Sequence, residues 1–252
     1  MRICKDNFIG KEFLTNNNGS CFIIDYDNEL NVTVIFHKTL FIKNSTMKQL
    51  KRGAVRDPFH PNSRKLGVGV VDVRAVKDGV RDLEFKYWSS MIERCYSPSY
   101  HNAQPTYADC CVEGEWLIYS IFKKDVQDMI GFGQEGWHLD KDILLKGNKK
   151  YSKDTCCFVP REINSFFNVK RISRGDFPVG VSLKKETGKF VSHISIDSNR
   201  ISLGTYMTPE EAFYAYKKAK EGYAKELAYK WKDQIDPRAF EALINYEVDI
   251  NE

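Results

Sequence analysis

Apolar residues along this chain recur with two different periods, which predict strands in some segments and helices in others. Within residues 1–66, the runs CFIIDY (21–26) and VTVIFH (32–37) have strand length and are separated by turns rich in Asn, Asp and Gly. Such runs predict short β-strands. The stretch that ends this segment, residues 47–65, is basic and contains prolines, and it predicts a linker without regular structure.

The middle of the chain is predicted to be helical. Residues 67–73, GVGVVDV, have the character of a strand or an extended segment. In residues 84–96 and 113–131 the apolar side chains then fall at helical spacing, and a stripe of this kind is most often core. These side chains are Phe85, Trp88, Met91, Ile92 and Cys95 in the first helix, and Trp116, Ile118, Ile121, Phe122, Val126 and Met129 in the second.

Residues 136–169 predict a strand, a loop, a return strand and a helix. The segment His138–Leu144 has strand character, and the Gly147-Asn148 dipeptide predicts a turn. The return strand contains Phe158, and Pro160 occupies the first turn of a helix through REINSFF.

Three further strands and a long helix are predicted in residues 177–231. The strands are PVGVSL (178–183), KFVSHISI (189–196) and RISLGTY (200–206). Thr208 predicts the helix N-cap, with Pro209 in the first turn and Glu211 at capping-box spacing. The helix carries an apolar stripe with a period of about 3.6 residues. The stripe consists of Ala212, Tyr216, Ala219, Tyr223, Leu227 and Trp231.

The composition narrows the class of protein. Apolar residues make up 42% and charged residues 29% of the 252 positions, which are ordinary values for a soluble globular protein of two or three domains. No stretch approaches the roughly 18 apolar residues of a membrane span, and the N-terminus lacks the apolar region of a signal peptide. These features predict a cytoplasmic protein with no membrane partner. Because cytoplasmic thiols stay reduced and the seven cysteines are odd in number, no disulfide framework is expected.

Two cysteine doublets, Cys110-Cys111 and Cys156-Cys157, allow two interpretations. Adjacent side chains on a strand point to opposite faces. One cysteine of each doublet, together with Cys95 and His101, would then supply the four ligands of a structural Zn²⁺ site. The simpler interpretation, which we favour, is that the thiols are free and buried.

A His-x-Asp-x-Asp run in the first strand of residues 136–169 is the candidate for chemistry. Alternation along a strand puts His138, Asp140 and Asp142 on one face. Asn164, on the following helix, would point back at that strand. Cleavage of a phosphodiester with one metal ion needs oxygen ligands for the cation and a base that activates water. The order strand, loop, strand, helix is also the order of a ββα-metal nuclease motif. The alternative interpretation of the same residues is a solvated strand face.

Within residues 85–167, three segments in the right order resemble phage HNH-type homing endonucleases: WSSMIERCY, PTYADCCVEGEW and GWHLDKDILLKGNKKYSKDTCCFVPREIN. The resemblance implies a ββα-metal core that cleaves DNA with Mg²⁺ or Mn²⁺. It also implies that Asp140 binds the cation, with Asp142 or Asn164 as a second ligand.

The sequence departs from that family at two positions. Lys141 stands where the family has its general-base histidine, and lysine is a poor base near neutral pH. Thr155 stands where related sequences often have the asparagine of the motif. Either His138 or Asp142 supplies the base, or the chain is a catalytically inactive DNA-binding or regulatory protein on the same scaffold.

Residues 174–231 resemble the ethylene-response-factor-type DNA-binding domain that is fused to many phage HNH endonucleases. The matching residues are Val179-Gly180-Val181, Lys189-Phe190, Leu203-Gly204-Thr205-Tyr206 and Thr208-Pro209-Glu210-Glu211-Ala212. The resemblance implies that the three-stranded sheet lies in the major groove of double-stranded DNA. Residues 170–206 hold seven Lys and Arg against three Asp and Glu, a charge that suits phosphate contacts. The candidate DNA contacts are Lys170, Arg171, Arg174, Lys184, Lys185, Lys189, His193 and Arg200.

Together these features predict a modular α+β protein with four parts. The predicted parts are a small β-rich accessory module (1–66), an HNH-like nuclease core with flanking helices (67–173), a DNA-binding module of three strands and a helix (174–231) and an acidic tail (232–252). Gly53–Pro61 is similar to a phrase that ends a small β module in the same phage proteins, which implies an accessory contact with DNA or with a protein. The favoured function is a homing-type DNA endonuclease, in the host cytoplasm if the chain is phage-encoded.

Overall fold

The computed structural model describes residues 7–167, 177–196 and 199–250. The chain mixes helices with several small antiparallel sheets, which is compatible with the predicted α+β class. It divides into two compact units, Met1–Asp125 and Val126–Glu252. Within the described residues, every helix is too short or too polar to cross a membrane.

The first unit begins with a four-stranded antiparallel sheet in the order β1-β2-β3-β4. Its strands are β1 (Glu12–Leu14), β2 (Ser20–Asn28), β3 (Asn31–Phe36) and β4 (Ile42–Ser45). Alternate residues of β2 and β3, such as Ile23, Val32 and Val34, are fully buried. The period of two residues along these strands therefore builds a one-sided hydrophobic core, as the sequence predicts.

The prediction of an irregular linker in residues 47–65 is wrong. Met47, Leu50 and Val55 are buried in the core of the sheet, and helix α1 (Met47–Lys51) begins at the N-cap Thr46. Three apolar side chains are sufficient to anchor this segment, although charged residues outnumber them. The charge pattern misled the prediction because the basic side chains of α1 lie on the outer side of a packed helix.

The rest of the first unit is mostly helical. It contains β5 (Val76–Lys77), β6 (Val80–Arg81), α2 (Leu83–Tyr96), α3 (Pro98–Ala103), β7 (Cys111–Val112) and α4 (Tyr119–Gln127). The last residues of α4 belong to the second unit. Helix α2 confirms the first predicted helix, and its Trp88 is fully buried and donates to Trp116 O at 2.8 Å. Residues 67–73, predicted to be a strand or an extended segment, form isolated bridges at Gly69 and Val70 and no strand. The second predicted helix begins at Tyr119, six residues later than the apolar pattern indicates.

The second unit begins with the predicted strand, loop, strand and helix. These elements are β8 (Trp137–Asp140), β9 (Lys150–Tyr151) within the loop, β10 (Cys157–Pro160) and α5 (Arg161–Phe167). Strands β8 and β10 are antiparallel, with Asp140 opposite Cys157 and His138 opposite Val159. The order of elements is confirmed, but β8 ends at Asp140 instead of continuing to Leu144.

A second small sheet follows, and it also confirms the sequence pattern. Strands β11 (Val181–Lys184), β12 (Lys189–Ile196) and β13 (Asn199–Tyr206) form an antiparallel sheet, and α6 (Pro209–Trp231) covers one of its faces. The capping box between Thr208 and Glu211 is complete, since each side chain bonds to the other's backbone amide. Gly180 precedes the sheet with a φ of 78°, and an added Cβ there would meet the Tyr216 ring at 2.2 Å, so only glycine fits.

Helix α6 contributes to two hydrophobic clusters of the second unit. Its first half buries Ala212, Phe213 and Tyr216 against the β11–β13 sheet. Its second half buries Leu227 and Ala228 against β10 and α5. The strand-and-helix segment that contains Asp140 and the three-stranded sheet are therefore attached to the same helix of 23 residues.

The acidic C-terminal segment is also packed. Helix α7 (Pro237–Ile244) buries Ala239 and Leu243 in the cluster that contains Leu227, and Val248 joins the cluster beneath the sheet. Its acidic residues give the segment the composition of a solvated tail, while its apolar residues fall at the helical spacing that lets α7 cover α6.

Removing the side chain of Leu227 tests the central role of α6. Leu227 is 1% exposed, so Leu227→Ala is expected to lower the free energy of unfolding by about 2–5 kcal/mol, as large-to-small core substitutions do. Urea denaturation followed by circular dichroism measures the change. The exposed neighbour Glu226 provides the control, since Glu226→Ala should change stability by no more than about 0.5 kcal/mol. Equal effects of the two substitutions would contradict this packing.

Candidate functional site

Asp140, the predicted metal ligand, organises a turn at the end of β8. Its Oδ1 accepts hydrogen bonds from the backbone amides of Asp142 at 2.6 Å and Ile143 at 3.1 Å. Burial is the main cause that raises the pKa of Asp140 above its ordinary value, and the charge of Asp142 adds to it, while the two amides oppose the shift. An aspartate used in this way ends a strand by giving the backbone amides an alternative partner.

Asp142 does not lie on the face of β8, because the strand has already ended. The prediction that His138, Asp140 and Asp142 share one strand face is wrong for this residue. Asp142 instead forms an ion pair with Lys141 through its Oδ1. A carboxylate that neutralises a neighbouring ammonium is a weaker ligand for a divalent cation.

Lys141, in the position of the family's general base, is a structural residue. Its side chain is only 7% exposed, and Nζ also donates to Asn148 O at 2.9 Å. Asn148 completes the loop, since its Nδ2 donates to Lys141 O at 2.8 Å and to Lys150 O at 2.7 Å. The loop therefore uses the Lys141 side chain as a hydrogen-bond donor that joins Asp142 to Asn148.

The remaining predicted catalytic residues occupy separate positions on the same small motif. His138 is exposed on β8, and Asn164 is half-buried on α5. Thr155 is bound within the loop, where its Oγ1 donates to Lys150 O at 2.8 Å. Across residues 7–167, 177–196 and 199–250, no three His, Cys, Asp or Glu side chains form a group that could hold a metal ion. Oδ1 of Asp140 accepts two backbone amides and Oδ1 of Asp142 pairs with Lys141, so neither of these two oxygens is held open for a cation.

The cysteines next to this turn are buried thiols. Cys157 lies opposite Asp140 in the strand pair, and burial raises the pKa of its thiol well above the ordinary range. Burial likewise raises the pKa of Cys156 to about 12. Both groups are therefore protonated near neutral pH and unsuited to nucleophilic attack. All described cysteines are free, and Cys111 is the exposed one among them.

The exposed face of the β11–β13 sheet brings together four of the predicted DNA contacts. Lys184 and Lys189 are directly opposite one another on β11 and β12. His193 is on the same face of β12 because it is four residues from Lys189, and Arg200 joins it because it lies opposite Ser195. The guanidinium of Arg200 lies 2.9 Å from Nε2 of His193. This surface, defined by Lys184, Lys189, His193 and Arg200, is called the sheet face below.

The sheet face carries positive charge without compensating carboxylates. Its three strands contain no Asp or Glu. Lys184, Lys189 and Arg200 are exposed, and none of them forms an ion pair with a carboxylate of the described chain. Two lysines of the neighbouring helix do form ion pairs: Lys217 pairs with Glu221 at 2.7 Å, and Lys230 pairs with Glu162 at 2.6 Å. The side of the sheet opposite α6 therefore carries three cations without a carboxylate partner.

His193 is the uncharged member of the sheet face at neutral pH. Burial is the first cause that lowers its pKa below the ordinary value, and the positive charge of Arg200 is the second. A neutral imidazole still offers one donor and one acceptor, so His193 suits a hydrogen bond better than a phosphate ion pair. The cations of the face are therefore Lys184, Lys189 and Arg200.

Four other predicted contacts are not part of the sheet face. Lys185 lies in the turn between β11 and β12, next to the face and exposed. Lys170, Arg171 and Arg174 lie outside the described residues.

The sequence prediction missed the hydroxyl groups that share this surface. Ser182, Ser195, Ser202 and Thr205 alternate with core residues and fall on the same side as the cations. The alternation of residues along a strand is sufficient to predict that Ser182 and Ser195 lie on this face. It was not sufficient on β13, where a bulge places two residues opposite Ser192 and shifts the alternation by one. Leu203 turns into the core at this bulge.

Comparison with protein-family models, with curated proteins and with solved structures gives no match to this chain. The arguments for its function therefore come from its own geometry and charge.

Replacing Asp140 separates a structural carboxylate from a metal ligand. Asp140→Asn keeps the oxygen that accepts the two amides but removes a buried charge. A carboxyl whose folded pKa is raised contributes its stability at low pH and loses it as the pH rises through the folded pKa. We expect Asp140→Asn to equal or exceed the parent in free energy of unfolding at neutral pH, with the gain disappearing below about pH 4. Urea denaturation at several pH values measures this.

Asp140→Ala is the matched control, because it removes the acceptor as well as the charge. It should lower the free energy of unfolding by about 1–2 kcal/mol, as the loss of a backbone-capping side chain does. A parent protein that Mg²⁺ stabilises, together with an Asp140→Asn variant that Mg²⁺ does not stabilise, would contradict the structural role.

Proposed function

We propose that this protein binds double-stranded DNA through the sheet face. The observation that carries the proposal is the cluster of Lys184, Lys189 and Arg200 on one carboxylate-free surface, supported from behind by α6. Phosphate contacts by Lys and Arg supply most of the affinity of DNA-binding proteins. Hydroxyl groups and a neutral imidazole between such cations can hydrogen-bond to phosphate oxygens and base edges.

The dimensions of the sheet favour duplex DNA over duplex RNA. Adjacent strands lie about 4.8 Å apart, so the three strands span about 10 Å across their backbones. The major groove of B-form DNA is about 12 Å wide and admits β-strands. The major groove of A-form RNA is too narrow for side chains to read. A cationic three-stranded face therefore suits the DNA major groove.

The β8–β10–α5 segment is proposed to be a scaffold that does not cleave DNA. Oδ1 of Asp140 is engaged by two backbone amides and Oδ1 of Asp142 by Lys141, which supports a structural role for both carboxylates over a Mg²⁺ or Mn²⁺ site. Lys141 donates to the backbone carbonyl of Asn148 within the same loop. The proposal is thus a DNA-binding or regulatory protein built on an HNH-like scaffold.

A metal-dependent HNH-type endonuclease is the second candidate function. The observation in its favour is the order of β8, loop, β10 and α5, with an aspartate at the end of the first strand. Under this candidate, His138 and Asn164 would act together with Asp140. The two candidates share DNA binding and differ in cleavage.

Removing the charges of the sheet face should weaken DNA binding and reduce its salt dependence. The slope of log Kobs against log salt is negative. A variant with Lys184→Gln, Lys189→Gln and Arg200→Gln is expected to reduce the magnitude of this slope by about 0.9 for each phosphate that the protein no longer neutralises. Fluorescence anisotropy with a labelled duplex, measured over a range of salt, gives the slope.

The matched control removes three lysines from the outer side of α6 and its C-cap. The control substitutions are Lys218→Gln, Lys225→Gln and Lys232→Gln, all at exposed positions. This control changes the net charge by the same amount, so its slope should stay close to that of the parent. If both triple variants give the same slope, binding depends on net charge and the sheet face is not the contact surface.

Cleavage assays decide between the two candidate functions. We expect supercoiled DNA to remain intact when the protein is incubated with Mg²⁺ or Mn²⁺, because Oδ1 of Asp140 and Oδ1 of Asp142 already have partners within the loop. Gel electrophoresis detects nicked and linear products. The endonuclease candidate requires products that form with the parent protein and disappear with Asp140→Ala and with His138→Ala, and this result would reverse the order of the two candidates.

A further inference from the structure

Charge is strongly segregated within the β module of the first unit. Residues 7–36 contain one Lys or Arg and four Asp or Glu, whereas residues 37–65 contain eight Lys or Arg and one Asp. The second of these segments is the one that folds as β4, α1 and the stretch that follows α1. A local net charge of this size is a larger excess than the sheet face carries, and DNA binding through the sheet face does not account for it.

The single acidic residue of residues 37–65 is buried and does not lie on the surface. Asp57 is fully buried, where its Oδ2 accepts from Thr39 Oγ1 at 2.6 Å and its Oδ1 accepts from the Phe59 amide at 2.8 Å. Its carboxylate fixes the turn after α1. The cations around it are therefore not covered by a carboxylate from their own segment.

Backbone carbonyls, which carry no net charge, hold several of these cations in place. Lys43 Nζ donates to Arg56 O at 3.2 Å, and Arg56 Nη2 donates to Ser63 O at 3.0 Å. Arg64 Nε donates to Phe59 O at 3.2 Å. A carbonyl orients an ammonium or guanidinium without neutralising it, so these groups keep their charge and their remaining N–H donors.

The fold also holds like charges close together. Lys43 lies near Arg56. Burial first and the charge of Arg56 second lower the pKa of Lys43 below its ordinary value, and the buried carboxylate of Asp57 offsets part of this shift. An external anion would relieve the repulsion that remains. Phosphate groups, which guanidinium binds in a bidentate manner, are anions of this kind.

Helix α1 carries a second group of exposed cations. Met47 and Leu50 fill the core, so Lys48, Lys51 and the adjacent Arg52 are turned outward and exposed. The basic surface is defined by two groups of residues. The α1 group is Lys48, Lys51 and Arg52, and the loop group is Lys43, Arg56 and Arg64.

We propose that the basic surface of the first unit is a second contact site for the phosphate backbone of duplex DNA. This inference rests on the proposed function, because it adds a contact to the same ligand. The contact would be independent of base sequence, since Lys and Arg at phosphates carry no base readout. Two phosphate-binding surfaces on one chain raise affinity through effective concentration, without any need for either to be strong alone.

The chemistry of the surface favours nucleic acid over a lipid membrane. A helix that binds a bilayer needs an exposed apolar face to bury among the lipids. Both apolar side chains of α1 are already buried in the core. The exposed side chains of α1 are Lys48, Gln49 and Lys51, none of which is apolar.

The experiment compares three triple variants of the full chain, each with three fewer positive charges. The first is Lys48→Gln, Lys51→Gln and Arg52→Gln, which disturbs no side-chain hydrogen bond found among the described residues. The other two are the sheet-face variant and the α6 control described above. Each is titrated with a labelled duplex of random sequence over a range of salt. We expect the α1 variant to lower the salt slope by about 1–3 and to weaken binding roughly tenfold or more at moderate salt.

A second variant guards against a local change in α1. Lys43→Gln, Arg56→Gln and Arg64→Gln keeps donors for the carbonyls but removes the three charges of the loop group. It should also lower the salt slope, and its circular dichroism should match that of the parent. A slope equal to the parent's in both the α1 variant and the loop variant overturns the second contact site.

The outcomes separate this inference from the proposed function. If the α1 and loop variants keep the parent slope while the sheet-face variant has a lower one, only the second site fails. If the sheet-face variant keeps the parent slope while the α1 variant has a lower one, the proposed function fails at the sheet and the basic surface stands as a DNA contact.

Sedimentation with vesicles of phosphatidylcholine and phosphatidylserine is the last arm. Binding to these vesicles that the α1 variant abolishes, without any effect of that variant on DNA, overturns nucleic acid as the partner.

Discussion

The second unit depends on one constraint: a single helix must satisfy two hydrophobic clusters. The first half of α6 covers the three-stranded sheet, and its second half packs on β10 and α5. Polar contacts reinforce the second junction, since Lys220 Nζ donates to Phe166 O at 2.7 Å and Trp231 Nε1 donates to Glu162 at 3.1 Å. The sheet can present a flat cationic surface because its other side is held by this helix, and its charges need no partners within the chain.

The polar side chains around Asp140 likewise find their partners within their own segment. Three neighbouring side chains close the loop: Asp140 accepts from amides, Lys141 donates to Asn148 O, and Asp142 pairs with Lys141. A buried turn needs such internal satisfaction, because unpaired polar groups are costly away from water. A cation site needs the opposite, with oxygens held apart from other partners. The geometry of this motif meets the first requirement.

The sequence predicted well those elements that are fixed by one local signal. The capping box at Thr208 and the alternating strands of the C-terminal sheet are of this kind, and the sheet cations followed from alternation. Where the prediction was wrong, a competing interaction decided the outcome. The end of β8 depends on the side chain of Asp140 reaching two amides, and the fold of residues 47–65 depends on a few apolar contacts with a distant sheet. The bulge before Gly204 depends on packing beneath the sheet. None of these has a signature in residue spacing.

The shared helix also limits how this protein could change over evolutionary time. Exchange of whole domains by recombination requires a boundary across which few side chains interlock. A crossover within α6 would separate Phe213 from Leu227 and leave each cluster with half of its covering surface. The second unit would therefore diversify its recognition by point substitution on the exposed strand positions, where a new side chain meets only solvent or ligand, and its reading surface would be inherited together with the β8–β10–α5 motif.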